Sequence, residues 1–181
     1  MQRMIEQLLD LTRARLTSGI TVKLSTEEID VAAIVARIAD EVRAAHPRCT
    51  IEMRVDEDCG SRIDVDRFEQ VVSNLLINAV THGDNTRPIQ VVVASKPDGV
   101  SLKVQNHGPP IDAAFLPLIF SPFARTETTQ RSSAGLGLGL YISERIIAAH
   151  GGRLSVQSSL EAGTEFEVLL TRQSQRRPES Q

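Results

Sequence analysis

The chain has 181 residues and a formal net charge of −3, with 20 Lys and Arg residues against 23 Asp and Glu residues. Hydrophobic residues make up 41% and charged residues 24% of the chain, which are ordinary values for one globular domain and exclude a disordered or fibrous protein. The acidic balance and the aromatic content of 3% argue against nucleic-acid binding, and two cysteines are too few for a disulfide framework.

The hydrophobic pattern predicts the secondary structure in chain order. Residues 1–16 carry apolar side chains three and four residues apart, which predicts an amphipathic helix that starts in mid-pattern, as if it were cut from a longer chain. Asp30 is predicted to cap a helix that ends near Ala45, and further helices are predicted over residues 64–82, 115–120 and 135–150. Strands are predicted over residues 21–24, 50–55, 89–94, 100–105, 153–157 and 164–170.

Most of these strands are predicted to pair as hairpins. The sequence therefore predicts an α+β fold, a two-layer sandwich with one mixed sheet of about five strands and helices on one face. The polar tail from Gln173 is expected to be disordered. No apolar run approaches the roughly 18 residues of a membrane span, so we expect a cytoplasmic domain and leave open whether the parent protein is membrane-anchored.

Glycine and leucine alternate at the start of a predicted helix, as Gly135, Leu136, Gly137, Leu138, Gly139 and Leu140. Backbone N–H groups at a helix start attract anions, and glycine lets a phosphate approach closely. The run is neither a dinucleotide fingerprint nor a Walker loop, because no strand immediately precedes it and no Lys-Ser/Thr follows. A flexible loop with leucines packed in the core is the alternative that this run leaves open.

Two further segments carry polar side chains. Asn74 and Asn78 are four residues apart, so they share one face of the predicted helix with Thr81 and His82. This face is either an ordinary solvated surface or the wall of a cleft in which an Asn carbonyl binds Mg²⁺. At the end of a strand, Asn106 either begins a stiff turn before two prolines or accepts a hydrogen bond from a nucleotide base.

These segments, in this order, resemble the catalytic and ATP-binding domain of a sensor histidine kinase, from the superfamily shared with gyrase, Hsp90 and MutL. The resemblance covers roughly residues 24–171 and implies the sandwich of the Bergerat type. Residues 1–16 look like the end of the family's dimerisation and phosphotransfer helix. Residues 67–79 resemble the family's N box, and residues 115–123 resemble its F box. The three glycine boxes are matched by residues 106–110, 135–140 and 163–166.

The resemblance implies four divisions of the chain. They are the end of a dimerisation helix (1–17), a linker and first strand (18–24), the catalytic ATP-binding domain (25–171) and a tail (172–181). It also implies that the domain binds Mg-ATP and donates the γ-phosphate to a histidine on the parent's own dimerisation domain. A response regulator would then be the downstream partner, and the parent would be a homodimer.

The resemblance also assigns roles to residues. Asn78 is the expected Mg²⁺ ligand, and Asn74 and Arg125 are the expected catalytic residues. Residues 121–134 are expected to form a mobile lid anchored by Phe120 and Phe123, with Arg125 or Arg131 reaching the terminal phosphate. The other expected nucleotide contacts are His82, Asn106, Gly108, Ile111, Gly135, Leu136, Gly137, Leu138, Gly139, Leu140 and Thr164.

The chain departs from the family pattern at three positions. Asn106 stands where the family usually has Asp, Pro110 where it has Gly, and Thr81 where it often has Lys. A neutral hydrogen bond contributes less than one to a charged group, about 0.5–1.5 against 1.5–3 kcal/mol, so we expect weaker adenine recognition. In addition, none of the four histidines is followed by the acidic residue and proline of a phosphoacceptor, so we expect the acceptor helix upstream of Met1.

Two other functions compete with the kinase. The superfamily's hydrolases carry a Glu four residues before the metal-binding Asn, and that position is Asn74 here, an amide that cannot act as a general base. Glu69, the alternative candidate for the base, would lie about 140° around the helix from the face that carries Asn74. A non-catalytic nucleotide-binding regulator is the third possibility, and the amphipathic N-terminal segment favours the kinase over it.

Overall fold

The computed structural model describes residues 20–124 and 136–171, and in these residues three helices cover one face of a five-stranded sheet. The helix predicted over residues 1–16, the site residues Arg125, Arg131 and Gly135, and the tail lie outside the described residues. The elements are β1 (Ile29–Asp30), α1 (Val31–Ala45), β2 (Ile51–Val55), β3 (Gly60–Ser61), α2 (Val65–His82), β4 (Ile89–Lys96), β5 (Gly99–Asn106), a 3-10 helix (Leu116–Leu118), α3 (Gly139–Ala149), β6 (Arg153–Ser159) and β7 (Gly163–Thr171).

The main sheet has the strand order β2-β4-β5-β7-β6, in which only β2 and β4 are parallel. Alternate side chains of a strand point to opposite faces, and here the two faces differ in polarity. One row of cross-strand neighbours on the helix-covered face is Met53, Val91, Val104, Phe166 and Val156. The adjacent row on the other face is Glu52, Gln90, Gln105, Glu165 and Gln157. A register slip of one residue would exchange the two rows, so burial of the apolar row fixes the pairing.

Helix α2 packs against both α1 and α3 and is the centre of the helical layer. Asp64 caps it by accepting a hydrogen bond from Arg67 N at 3.3 Å. Five of its apolar side chains are fully buried, and burial of each contributes about 1.5–3 kcal/mol; they are Phe68, Val71, Val72, Leu75 and Leu76. In the described part of the chain, no helix combines the length and apolar character of a membrane span.

The α+β sandwich, its five-stranded mixed sheet and the cap at Asp30 were predicted and are confirmed. The first strand predicted within residues 18–24 is wrong for its described part, residues 20–24, which form no strand. Lys23 N instead donates to the Asp64 carboxylate at 2.8 Å, so this backbone is tied to a helix cap and not to a sheet. The helix predicted from residue 135 begins at Gly139, and the described residues before it, 136–138, are not helical.

Candidate functional site

The polar segments predicted from the sequence meet along α2. The middle of this helix contacts the start of α3, and its carboxyl end packs against the turn that follows β5. The contact between helix end and turn is close, because a Cβ at Gly83 would lie 3.4 Å from Asn106 Cβ. The polar face of α2, the end of β5 and the described part of the glycine run therefore belong to one site.

Asn74 holds the start of α3 against α2. Its residue is 8% exposed, and its Nδ2 donates to Gly139 O and to Ser143 Oγ, both at 3.3 Å. Ser143 is fully buried, so this hydroxyl depends on partners inside the protein. Sequence reasoning missed Ser143, although its spacing of four from Gly139 places both on one face of a helix. The structure thus gives Asn74 a positioning role.

Asn78 lies one turn further along the same face and is half-buried. Its amide makes no hydrogen bond to any residue in 20–124 or 136–171, whereas Thr81 Oγ1 donates to Ile77 O of its own helix at 2.7 Å. His82 is exposed at the end of α2, and desolvation lowers the pKa of its imidazole. The Asn78 carbonyl is therefore a hard oxygen ligand that the fold leaves available for a cation.

Asn106 ends β5 on the helix-covered face of the sheet, opposite Thr164 of β7. Its residue is only 4% exposed, yet its side chain makes no hydrogen bond to the described residues. Its polar atoms are still reached by solvent, because among the described residues His107 Nδ1 is the only fully buried side-chain nitrogen or oxygen that lacks a partner. The unpaired amide is thus the kind of group that a ligand would satisfy.

The other predicted neighbours of Asn106 are linked to one another. Thr164 Oγ1 and Ser158 Oγ are 2.8 Å apart, and Ser158 Oγ accepts a hydrogen bond from Ile111 N at 2.9 Å. The structure therefore brings Thr164 and Ile111, two of the nucleotide contacts that the resemblance implies, close to Asn106. Ser158 was missed, because it joins the site only through the pairing of β6 with β7.

Gly108 and Gly163 have reasons of packing to be glycine. A Cβ at Gly108 would lie 2.2 Å from His82 O, and a Cβ at Gly163 would lie 2.2 Å from Asn106 O. Gly163 also has φ of +75°, a conformation that other residues rarely adopt. The close packing of α2 and β7 against the end of β5 therefore explains both glycines without a ligand.

The described part of the glycine run, residues 136–140, leads into α3 with uncapped N–H groups. Leu138 is the N-cap residue and makes no side-chain capping bond, and the first turn of α3 contains no acidic residue. Gly137 has φ of +69°. Leu138 is fully buried, so the two readings of this run coexist: the leucine packs in the core while the helix start can attract an anion.

The F box differs from its prediction at one residue. Phe120 packs against the core, as predicted. Phe123 is 50% exposed, so its predicted packing role is wrong. Its backbone makes the link instead, because Phe123 N donates to Gly137 O at 3.1 Å. This bond joins the start of the proposed lid to the glycine run.

Glu69 forms an ion pair outside the site and is not one of its residues. Its carboxylate forms an ion pair with Arg37 on α1, on the side of α2 that faces that helix. The structure thus agrees with the sequence argument that Glu69 is badly placed to activate water beside Asn78.

A separate open cavity of about 830 Å³ has an acidic wall. Five carboxylates line it, and like charges would repel a nucleotide's phosphates there. We therefore do not assign nucleotide binding to this cavity. Its acidic residues are Glu28, Asp30, Asp56, Glu57 and Asp58.

Comparisons with known proteins identify the family of the chain. Residues 63–174 match the family described as histidine kinase-, DNA gyrase B-, and HSP90-like ATPase. The chain is 40% identical over 157 residues to a bacteriophytochrome of Pseudomonas aeruginosa, covering 86% of this chain and 21% of that protein. It is 33% identical over 128 residues to the sensor histidine kinase component HK1 of Mycobacterium tuberculosis, covering 71% of this chain and 74% of HK1.

Solved structures share the fold. The catalytic domain of the histidine kinase ThkA, in a nucleotide-free form, superposes with a TM-score of 0.70 at 27% identity, covering 83% of this chain and 96% of that domain. Full-length ShkA in complex with AMPPNP superposes with a TM-score of 0.78 at 24% identity, covering 95% of this chain and 36% of ShkA. The chain thus spans about a fifth of the bacteriophytochrome and about a third of ShkA.

Proposed function

Since the chain belongs to the histidine kinase-, DNA gyrase B- and HSP90-like ATPase family, we propose that it is the ATP-binding catalytic domain of a sensor histidine kinase. In this role it binds Mg-ATP and donates the γ-phosphate to a histidine of the parent's dimerisation domain. The parent would act as a homodimer, pass the phosphate to a response regulator, and hold this domain in the cytoplasm.

One observation carries the proposal. Asn78 and Asn106 hydrogen-bond to no residue in the described segments, and they belong to the same site as the uncapped start of α3. A nucleoside triphosphate with a divalent cation offers a partner to each of these groups. Its base would face Asn106, and its phosphates would lie against Gly137, Gly139 and the first N–H groups of α3.

Asn78 fits a magnesium site because its carbonyl is an available oxygen and Mg²⁺ binds few protein ligands, retaining water and phosphate oxygens. When bound, Mg²⁺ would neutralise negative charge on the phosphates. His82, Leu136, Leu140, Ile111 and Thr164 would complete the wall of the pocket. The roles of Arg125 and Gly135 remain predictions, because both lie outside the described residues.

Transfer to a protein histidine is favoured over transfer to water. The hydrolytic base position is Asn74, whose Nδ2 donates to Gly139 O and Ser143 Oγ, and the nearby Glu69 is paired with Arg37. The described site thus offers no carboxylate on the face of α2 that carries Asn78 to take a proton from water.

Isothermal titration calorimetry of ATP, with and without Mg²⁺, tests the proposal. We expect Asn78→Ala to lose the part of ATP affinity that depends on Mg²⁺, because the variant removes the ligand oxygen. Gln157→Ala is the matched control, since it removes an exposed amide from the opposite face of the sheet. Equal Mg·ATP affinity in the wild type and Asn78→Ala would show that Asn78 is not the metal ligand, and no ATP binding at all would refute the proposed function.

A further inference from the structure

The two buried amides of the site differ in how they are held. Asn74 Nδ2 donates to Gly139 O and Ser143 Oγ, so these partners hold the NH₂ end of the amide towards α3. Asn106 is buried to a similar degree but has no hydrogen bond to any described residue that would orient it. The next residue does not orient it either, since the buried His107 Nδ1 likewise lacks a partner among the residues described.

We propose that the base pocket accepts 6-oxopurine nucleoside triphosphates, such as inosine triphosphate, about as well as ATP. The inference rests on the proposed function, in which Asn106 faces the base. It deepens that function by naming the class of nucleotide that the site takes.

An unoriented amide can match either purine edge. Adenine presents an N6–H donor beside the N1 acceptor, and a 6-oxopurine presents the O6 acceptor beside an N1–H donor. The Asn side chain has one carbonyl acceptor and one NH₂ donor, which exchange places by a half-turn about χ2. With adenine, Oδ1 would accept from N6–H, and with a 6-oxopurine, Nδ2 would donate to O6.

A carboxylate at the same position would discriminate between these bases. An ionised Asp only accepts hydrogen bonds, so it suits the adenine amino group and places two acceptors together when it meets O6. A site that leaves a buried polar group unpaired rejects the wrong substrate strongly. The amide of Asn106 removes that penalty, because the fold around it leaves both orientations open.

The test measures dissociation constants of Mg·ATP and Mg·ITP by calorimetry, since these nucleotides differ only at the purine 6-position and its neighbouring N1 proton. The variants are Asn106→Asp and the control Gln105→Glu. The control makes the same change from amide to carboxylate one residue earlier, on the opposite face of the sheet. Circular dichroism verifies that each variant is folded.

For the wild type we expect the two dissociation constants to agree within about fivefold, which corresponds to about 1 kcal/mol. Asn106→Asp should raise the preference for ATP by more than about fivefold over the wild-type value, while Gln105→Glu should leave the preference unchanged. The ratio of the wild-type dissociation constants for Mg·ATP and Mg·ITP tests the inference even if Asn106→Asp does not fold.

A wild-type preference for ATP above about fivefold would overturn this inference and leave the proposed function standing. An unchanged preference in a folded Asn106→Asp would also overturn it. If neither ATP nor ITP binds to the wild type, the proposed function fails and this inference fails with it.

Discussion

Comparing Gly139→Ala with Gly108→Ala distinguishes a glycine that ligand binding requires from a glycine that the fold requires. Gly139 is the first residue of α3 and the last glycine of the run at the site. We expect Gly139→Ala to fold with nearly wild-type stability and to bind ATP poorly. The matched variant is Gly108→Ala, which should destabilise the fold.

The expected sizes follow from what each added methyl group would meet. At Gly139 the nearest atoms to a Cβ are Asn74 Cγ and Oδ1 at 3.5 Å, an ordinary van der Waals contact, so the free energy of unfolding should change by less than about 1 kcal/mol. At Gly108 the Cβ would lie 2.2 Å from His82 O. Overpacking of this kind costs about 1–3 kcal/mol, and each kcal/mol lowers Tm by roughly 2–4 °C in a domain of this size.

Urea denaturation measures the two stabilities, and calorimetry measures ATP affinity. The Gly139→Ala methyl would lie against the Asn74 amide and add bulk at the helix start that the proposed phosphates approach, so we expect at least a tenfold loss of affinity, about 1.4 kcal/mol. Wild-type affinity in Gly139→Ala would refute the placement of phosphates at this helix start. A loss of stability as large as that of Gly108→Ala would refute the space inferred beside Asn74.

Two further predictions concern the histidines. Incubation with γ-labelled ATP and Mg²⁺ should give neither acid-labile phosphate on this chain nor rapid phosphate release, because no histidine has the sequence context of a phosphoacceptor. The buried His150 is also occupied, since its Nε2 accepts a hydrogen bond from Asp64 N at 3.0 Å and its Nδ1 lies 2.7 Å from Ile146 O. Label on His46, His82, His107 or His150 would contradict this prediction. Desolvation lowers the pKa of His82, so the unfolded chain binds that proton more readily and the free energy of unfolding should fall below about pH 6.5. His82→Gln should weaken this fall between about pH 7.5 and about pH 5.5 in urea denaturation, and an identical pH profile would contradict the effect.

The sequence predicts elements well where a local signal suffices. Helices α1 and α2 have Asp caps and apolar faces, and the hairpin of β4 and β5 closes through Pro97 and Asp98. The short strands β1 and β3 were missed because two residues are too few to show a period. Residues 21–24 have a strand-like composition, but strand formation needs a partner, and Lys23 N is bonded to Asp64.

At the site, the sequence predicts residue types better than it predicts their partners. The shared face of Asn74 and Asn78 follows from helical spacing. The bonds of Asn74 to Ser143 and of Ser158 to Thr164 depend on how α2 meets α3 and how β6 meets β7, which no local pattern contains. For the same reason, sequence alone treats all glycines of the boxes alike, whereas the structure separates Gly108 and Gly163 from Gly139 by what a Cβ would meet.

The three asparagine amides of this site differ in whether they form hydrogen bonds within the fold. Asn74 donates to a carbonyl and a buried hydroxyl, and these two bonds hold the start of α3 in place. A glutamate at residue 74, the base of a hydrolase, cannot donate when ionised and would place its charge beside Gly139 O, so the bond to Gly139 O would be lost, although the Ser143 hydroxyl could donate to the carboxylate. A carboxylate placed at residue 74 to activate water would therefore weaken the contact between α2 and the start of α3. In the proposed function, Asn78 and Asn106, which have no partners in the described segments, would bind Mg-ATP, and the γ-phosphate would pass to a histidine of the parent's dimerisation domain.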